Sequence, residues 1–147
     1  MELSSVSKMR ETVRVGVRRR LGINTRALAA FRVALGLVVL VNLAARTRDL
    51  RAFYTAEGAV PLSAVQGYTT LSRYSLYALS DSFAFVGFLF AVTAVFAVAL
   101  VIGYRTRLAS VGVLLLVFSL NARNPLVMNG GDALLTRLLF WGVFLPI

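Results

Sequence analysis

The chain has 147 residues, room for one compact domain, and 59% of them are apolar while only 15% are charged; soluble domains carry about 25% charged residues, so the composition is not that of a soluble domain. Sixteen Lys and Arg stand against six Asp and Glu, a net charge of +10, which in so apolar a chain points to an anionic membrane surface rather than to nucleic acid. Cys and His are absent, which excludes disulfides, thiolate or imidazole metal and haem centres, and any triad or dyad built on those residues.

Residues 1–23 form a basic tail. Lys8, Arg10, Arg14, Arg18, Arg19, Arg20 and Arg26 all precede the first apolar run. Val6, Met9, Val13, Val17 and Leu21 recur at spacings of three and four between these cations. The pattern fits an amphipathic helix lying on anionic lipid headgroups; a disordered leader that only sets topology fits it as well.

Crossing a hydrocarbon core takes about 20 mostly apolar residues. The first such segment covers residues 27–45, interrupted by Arg32 and Asn42. It exceeds the 7–15 residues of a signal-peptide core and contains an Arg, so a retained span is preferred to a cleaved leader. The second, Phe83 to Ile102, holds no charge and only Thr93 as a polar break. The third covers 105–122, and the fourth 133–147. That last segment is expected to reach only part way across the core, with the sequence ending inside a helix. The fold class is therefore all-α: a polytopic transmembrane helical bundle of about four spans, the last one truncated. Gly36, Gly87 and Gly112 lie within spans, where small residues permit close helix contacts.

Cations set the orientation. With the tail in the cytoplasm, the inner segments hold nine Lys and Arg, including Arg105 and Arg107 in the short turn 103–107, and the outer segments hold five: Arg46, Arg48, Arg51, Arg73 and Arg123. Arg32 lies six residues beyond Arg26, within snorkelling reach of the inner headgroups. The outer connection between spans one and two is long. Glu57 to Pro61 marks a turn, short helices are expected around it, and Tyr54, Tyr68, Tyr74 and Tyr77 are suited to anchoring at headgroup depth.

The densest polar stretch runs from Asn121 to Asp132. Asn124-Pro125 should stop the third span, since the residue before Pro is driven out of the helical region. Asn129-Gly130-Gly131 suits a turn with positive φ, and Asp132 stands where an N-cap belongs, at the positive end of the fourth helix. One reading is a well-capped hairpin between helices. The other is that Asn121, Arg123, Asn124, Asn129 and Asp132 converge on a small molecule or a lipid headgroup, with Arg137 adding a cation to that end of the bundle. A charge within a span usually has a partner, and Asp132 is the natural one for Arg137.

Several segments together resemble the HTTM family, prokaryotic membrane proteins similar to the transmembrane domain of vitamin K-dependent γ-glutamyl carboxylase. They are Phe31-Arg32-Val33-Ala34-Leu35-Gly36, Ala52-Phe53-Tyr54-Thr55 with Glu57, Gly58 and Pro61, the turn 103–107, and Arg123-Asn124-Pro125-Leu126-Val127-Met128-Asn129-Gly130-Gly131-Asp132. The resemblance extends over 24–147. It implies a carboxylase- or epoxidase-like ancestor working on the outer face, with a quinone as possible cofactor. It also implies that the chain corresponds to the N-terminal part of longer relatives, with a C-terminal part or another helix bundle as partner. The base lysine of the carboxylase belongs to that later part, and the sole Lys here is Lys8. Asn121 stands where many relatives have His. No catalytic residue carries over, so the chain alone is expected to be inactive. A different reading is a small membrane scaffold or lipid-binding module; a transporter half-unit is disfavoured by the lack of repeats and paired charges in the spans.

Overall fold

The computed structural model describes residues 25–54, 74–80, 82–125 and 127–145, without the side chains of 51 and 52. The expected tail helix, Tyr68 and the turn at 57–61 lie outside these residues. Five α-helices and one 3₁₀ turn make up the described chain, with no strand among the described residues: α1 (Thr25–Thr47), α2 (Leu50–Tyr54), the 3₁₀ turn Leu76–Ala78, α3 (Phe83–Ile102), α4 (Thr106–Arg123) and α5 (Gly130–Phe144).

Helices α1, α3 and α4 are long and apolar enough to cross a membrane. At ~1.5 Å per residue they measure about 34, 30 and 27 Å, against a core of about 30 Å. α5, with 15 residues, reaches about 22 Å. It starts three residues earlier than its apolar run and stops at Phe144. Leu145 is extended (φ −79°, ψ 144°), as expected of a residue before Pro, so the helix does not run on to the last residue as the hydropathy suggested.

The helices run up and down, each packed on the next around a ring. α1 lies chiefly against α3, α3 against α4, α4 against α5, and α5 returns to α1. The buried seam contains Leu35, Val39, Leu43, Val86, Phe90, Ala97, Leu100, Val113, Val117, Leu120, Leu135 and Leu139. The outside is equally apolar: Leu37, Val41, Phe88, Val95, Leu115, Leu134, Trp141 and Phe144 are all exposed. A helix that is hydrophobic all round needs apolar surroundings on both faces, which suits a bundle embedded in lipid.

Two of the three glycines expected at helix contacts serve there. A Cβ on Gly36 would lie 2.6 Å from Val101 Cγ2 and 3.0 Å from the Ala97 carbonyl, and one on Gly112 would lie 2.8 Å from the Phe96 ring. Gly87 has nothing within 4 Å, so its role as a contact is corrected: it faces open space. At the α3–α4 turn Gly103 takes φ +87°, and a Cβ there would meet the Arg32 guanidinium at 2.9 Å. Arg32 thus lies against the C-terminal end of α3, where a cation is favoured by the helix dipole. The end of the bundle holding this turn and the start of α1 is the proximal end; the opposite end is the distal one.

Candidate functional site

Polar side chains gather at the distal end, where α1 and α4 finish, α5 begins and the connecting segments cross. α4 ends at Arg123 because Asn124 leaves helical geometry (φ −137°, ψ 80°), the break expected ahead of Pro125. α5 opens with a capping box, reciprocal bonds that satisfy two otherwise free N–H groups. The Asn129 side chain accepts from the Asp132 N–H at 3.0 Å, and Asp132 Oδ2 accepts from the Asn129 N–H at 3.1 Å. Two expectations are corrected here. The cap is Asn129, with Asp132 at the third helical position, and Gly130 and Gly131 are the first helical residues rather than a turn of positive φ. A carboxylate at the third position answers the cap and still faces the helix dipole.

Asp132 is 2% exposed, and its carboxylate is the hub of the site. Arg46 Nη2 from α1 lies 2.7 Å from Oδ1, and Asn42 Nδ2, one turn earlier, donates to the same oxygen at 2.8 Å. Arg46 continues outward from this pair, its Nη1 donating to the Tyr54 hydroxyl at 2.6 Å and its Nη2 to Asn121 Oδ1 at 3.1 Å. Asn121 Nδ2 donates to Thr136 Oγ1 at 3.1 Å, and Thr136 Oγ1 to the Asp132 carbonyl at 2.8 Å. Helices α1, α2, α4 and α5 are therefore tied together at one point.

A second layer lies beside it. The buried Arg123 donates to the Tyr77 carbonyl, and Asn124 Nδ2 donates to the Phe53 carbonyl at 3.2 Å. Ser75 Oγ donates to the Ser119 carbonyl and the Leu76 N–H to Ser119 Oγ, both at 2.6 Å. Tyr77 shares a 3.1 Å hydrogen bond with Thr93 inside α3. Phe90 stacks edge-on with Tyr54 and Tyr77, ring centres 6.0 and 5.9 Å apart. Burial pushes the Tyr77 hydroxyl up to about 12, and burial likewise raises Tyr54, partly offset by Arg46. Both tyrosines are buried, at 1% and 0% exposure. They close the distal end of the core instead of anchoring at headgroup depth as expected; of the described tyrosines of that connection, Tyr74 is in the open.

Of the six residues expected to converge, Asn121, Asn129 and Asp132 share the Asp132 network, and Arg123 and Asn124 belong to the adjoining layer. Arg137 does not. It is exposed, it takes no part in the network, and the partner of Asp132 is Arg46. A spacing of five places residues 132 and 137 about 500° apart around a helix of 3.6 residues per turn, on different faces. Arg46, Asn42, Tyr54 and Thr136 were missed as site members. In the sequence Arg46 counts among the topology cations and Asn42 as a break in the first span, and the one usable signal is that Asn42 and Arg46 are four apart, on one face of α1. Among the described residues no group of three acidic side chains offers a metal site.

Comparison of the chain with protein-family models, curated proteins and solved structures gives no match.

Proposed function

We propose that the chain is a multi-pass membrane protein of the HTTM type, in which α5 joins α1, α3 and α4 as a fourth membrane-entering helix and the polar distal end locks the bundle together. The observation that carries this reading is the burial and engagement of Asp132. Its two oxygens take the Asn42 amide, the Arg46 guanidinium and the Asn129 N–H, three of a carboxylate's roughly four acceptor sites, and at 2% exposure the side chain is closed to a substrate proton. A general base must come within about 3 Å of its target, and this carboxylate is committed to holding helices in register. The sequence segments quoted above support the family assignment.

The distal end faces outward in this reading. Among the described cations of that end, Arg46 and Arg123 are held inside the bundle and Arg48 is exposed, while Arg105 and Arg107 both stand exposed at the proximal turn. The sequence count of nine Lys and Arg on the proximal side, the tail included, against five on the distal side supports this orientation under the positive-inside rule. The chain acts as a membrane scaffold, with the lipid bilayer as its first partner.

The test of the structural role is an activity assay. Purified protein in lipid, given a reduced quinone, bicarbonate and a Glu-containing peptide, is expected to neither carboxylate nor epoxidise above a protein-free blank. Turnover that disappears in Asp132→Asn would make the distal network a catalytic centre and overturn the scaffold reading.

A further inference from the structure

Between the distal halves of α4 and α5 runs a groove of about 240 Å³, lined by Phe118, Ala122, Pro125, Met128, Ala133 and Arg137 among others. It is almost wholly apolar apart from one cation. The neutral polar groups on its wall, Asn121 and Thr136, are already bonded to each other and to Arg46 and Asp132. Arg137 is exposed, and among the described residues no hydrogen bond or ion pair engages it. The nearest acid along its helix, Asp132, is taken by Arg46.

A cation on the lipid-facing wall of a helix is costly without a partner. Arg137 lies seven residues past Gly130, about 10 Å along the α5 axis. Side chains on a helix lean toward its N-terminus, which for α5 is the distal end. The stem of Arg137 therefore carries the guanidinium back toward the distal headgroup layer, along the groove. The groove is smaller than the roughly 300–1,000 Å³ of pockets that enclose a drug-sized ligand. Its shape and lining suit a slender hydrocarbon chain topped by an anion.

We infer that this groove is a binding site for an anionic phospholipid of the distal leaflet, with a lipid phosphate that no headgroup cation compensates on Arg137 and an acyl chain along Phe118 and Met128. A guanidinium meets a phosphate through paired N–H donors, and the groove shelters the first stretch of the chain. The inference rests on the membrane-embedded reading above and gives that bundle a specific lipid partner.

Trp141 is the sole tryptophan, 65% exposed and one helical turn beyond Arg137 on the same face, so its fluorescence reports on the site. The full chain is reconstituted in vesicles of phosphatidylcholine and phosphatidylglycerol, with acyl-chain bromine on one lipid or the other. Brominated phosphatidylglycerol is expected to associate beside Trp141 about fivefold more strongly than brominated phosphatidylcholine, the ratio one cation near a membrane surface contributes. Arg137→Lys should keep most of that preference and Arg137→Gln should abolish it. The tail and turn cations are unchanged in both variants, so their difference reads position 137 alone. An equal preference in Arg137→Gln, or its removal by inorganic phosphate at constant ionic strength, would overturn the lipid site. Equal quenching by the two brominated lipids would also overturn it while leaving the membrane reading intact. Absence of quenching by either would overturn both.

Discussion

Replacing Asp132 by Leu removes the hub of the distal network, and the structure sets the size of the effect. The carboxylate is buried and pairs with an Arg that is itself only 11% exposed, so the change leaves a guanidinium in the bundle with Tyr54 and Asn121 alone. Breaking one side of a buried ion pair costs about 3–5 kcal/mol, and losing the carboxylate's half of the capping box costs about 1 kcal/mol more, although Asn129 still caps the helix. The two overlap, because the same side chain does both, and a loss of about 4 kcal/mol is expected. Arg46→Met should cost about 3 kcal/mol, since the stranded carboxylate keeps the Asn42 amide and the Asn129 N–H as donors. The double variant carries neither stranded charge. Replacing a whole buried pair with apolar side chains is often neutral, so the double variant should lose chiefly the capping-box hydrogen bond, about 1 kcal/mol, and less than either single variant. Unfolding free energies from denaturant titration in mixed micelles, followed by circular dichroism, give the cycle. Single effects that add to within about 0.5 kcal/mol would mean that Arg46 and Asp132 do not interact, and the lock would be refuted.

Other outcomes follow from the same geometry. Gly36→Ala should destabilise by about 1–3 kcal/mol, because its Cβ would press on Val101 and the Ala97 carbonyl in a packed seam, whereas Gly87→Ala should be neutral or gain up to about 1 kcal/mol in helix propensity; thermal denaturation in detergent separates them, and equal losses would contradict the α1–α3 contact. Tyr77 ionises near 12 when folded and near 10 when unfolded, so its contribution is complete below pH 10 and is lost as pH rises toward 12. Tyr77→Phe should flatten that alkaline decline, and an unchanged profile would place the hydroxyl in water. The chain has no Cys, so single cysteines report topology: Thr106→Cys and Ser5→Cys should label from the cytoplasmic side, and Val127→Cys and Thr69→Cys from the other. Labelling of Val127→Cys from inside would invert the orientation.

The sequence by itself determined the long helices, because each depends on properties carried by consecutive residues. Phe83 to Ile102 is uninterrupted by charge and ends at a glycine free to take positive φ, and the helix has those bounds. Asn124-Pro125 stops α4 through a steric clash between neighbours, which needs no tertiary contact. The capping chemistry of 129–132 was visible too, although the choice between Asn129 and Asp132 as cap was not, because both are competent N-caps three residues apart. Tertiary structure alone decided who meets whom. Asn42 and Asp132 are 90 residues apart, and Arg46 and Asn121 are 75 apart. A polar residue near a helix end reads as interfacial in any single-helix account, since its neighbours in sequence say nothing of which helix comes alongside. Arg137 and Arg46 show the consequence. Both are Arg near the distal end, and the one nearer in sequence to Asp132 looked like its partner. Helical rotation turns residue 137 away from Asp132, and the packing of α1 against α5 brings Arg46 to it, so the ion pair is settled by the geometry of the ring.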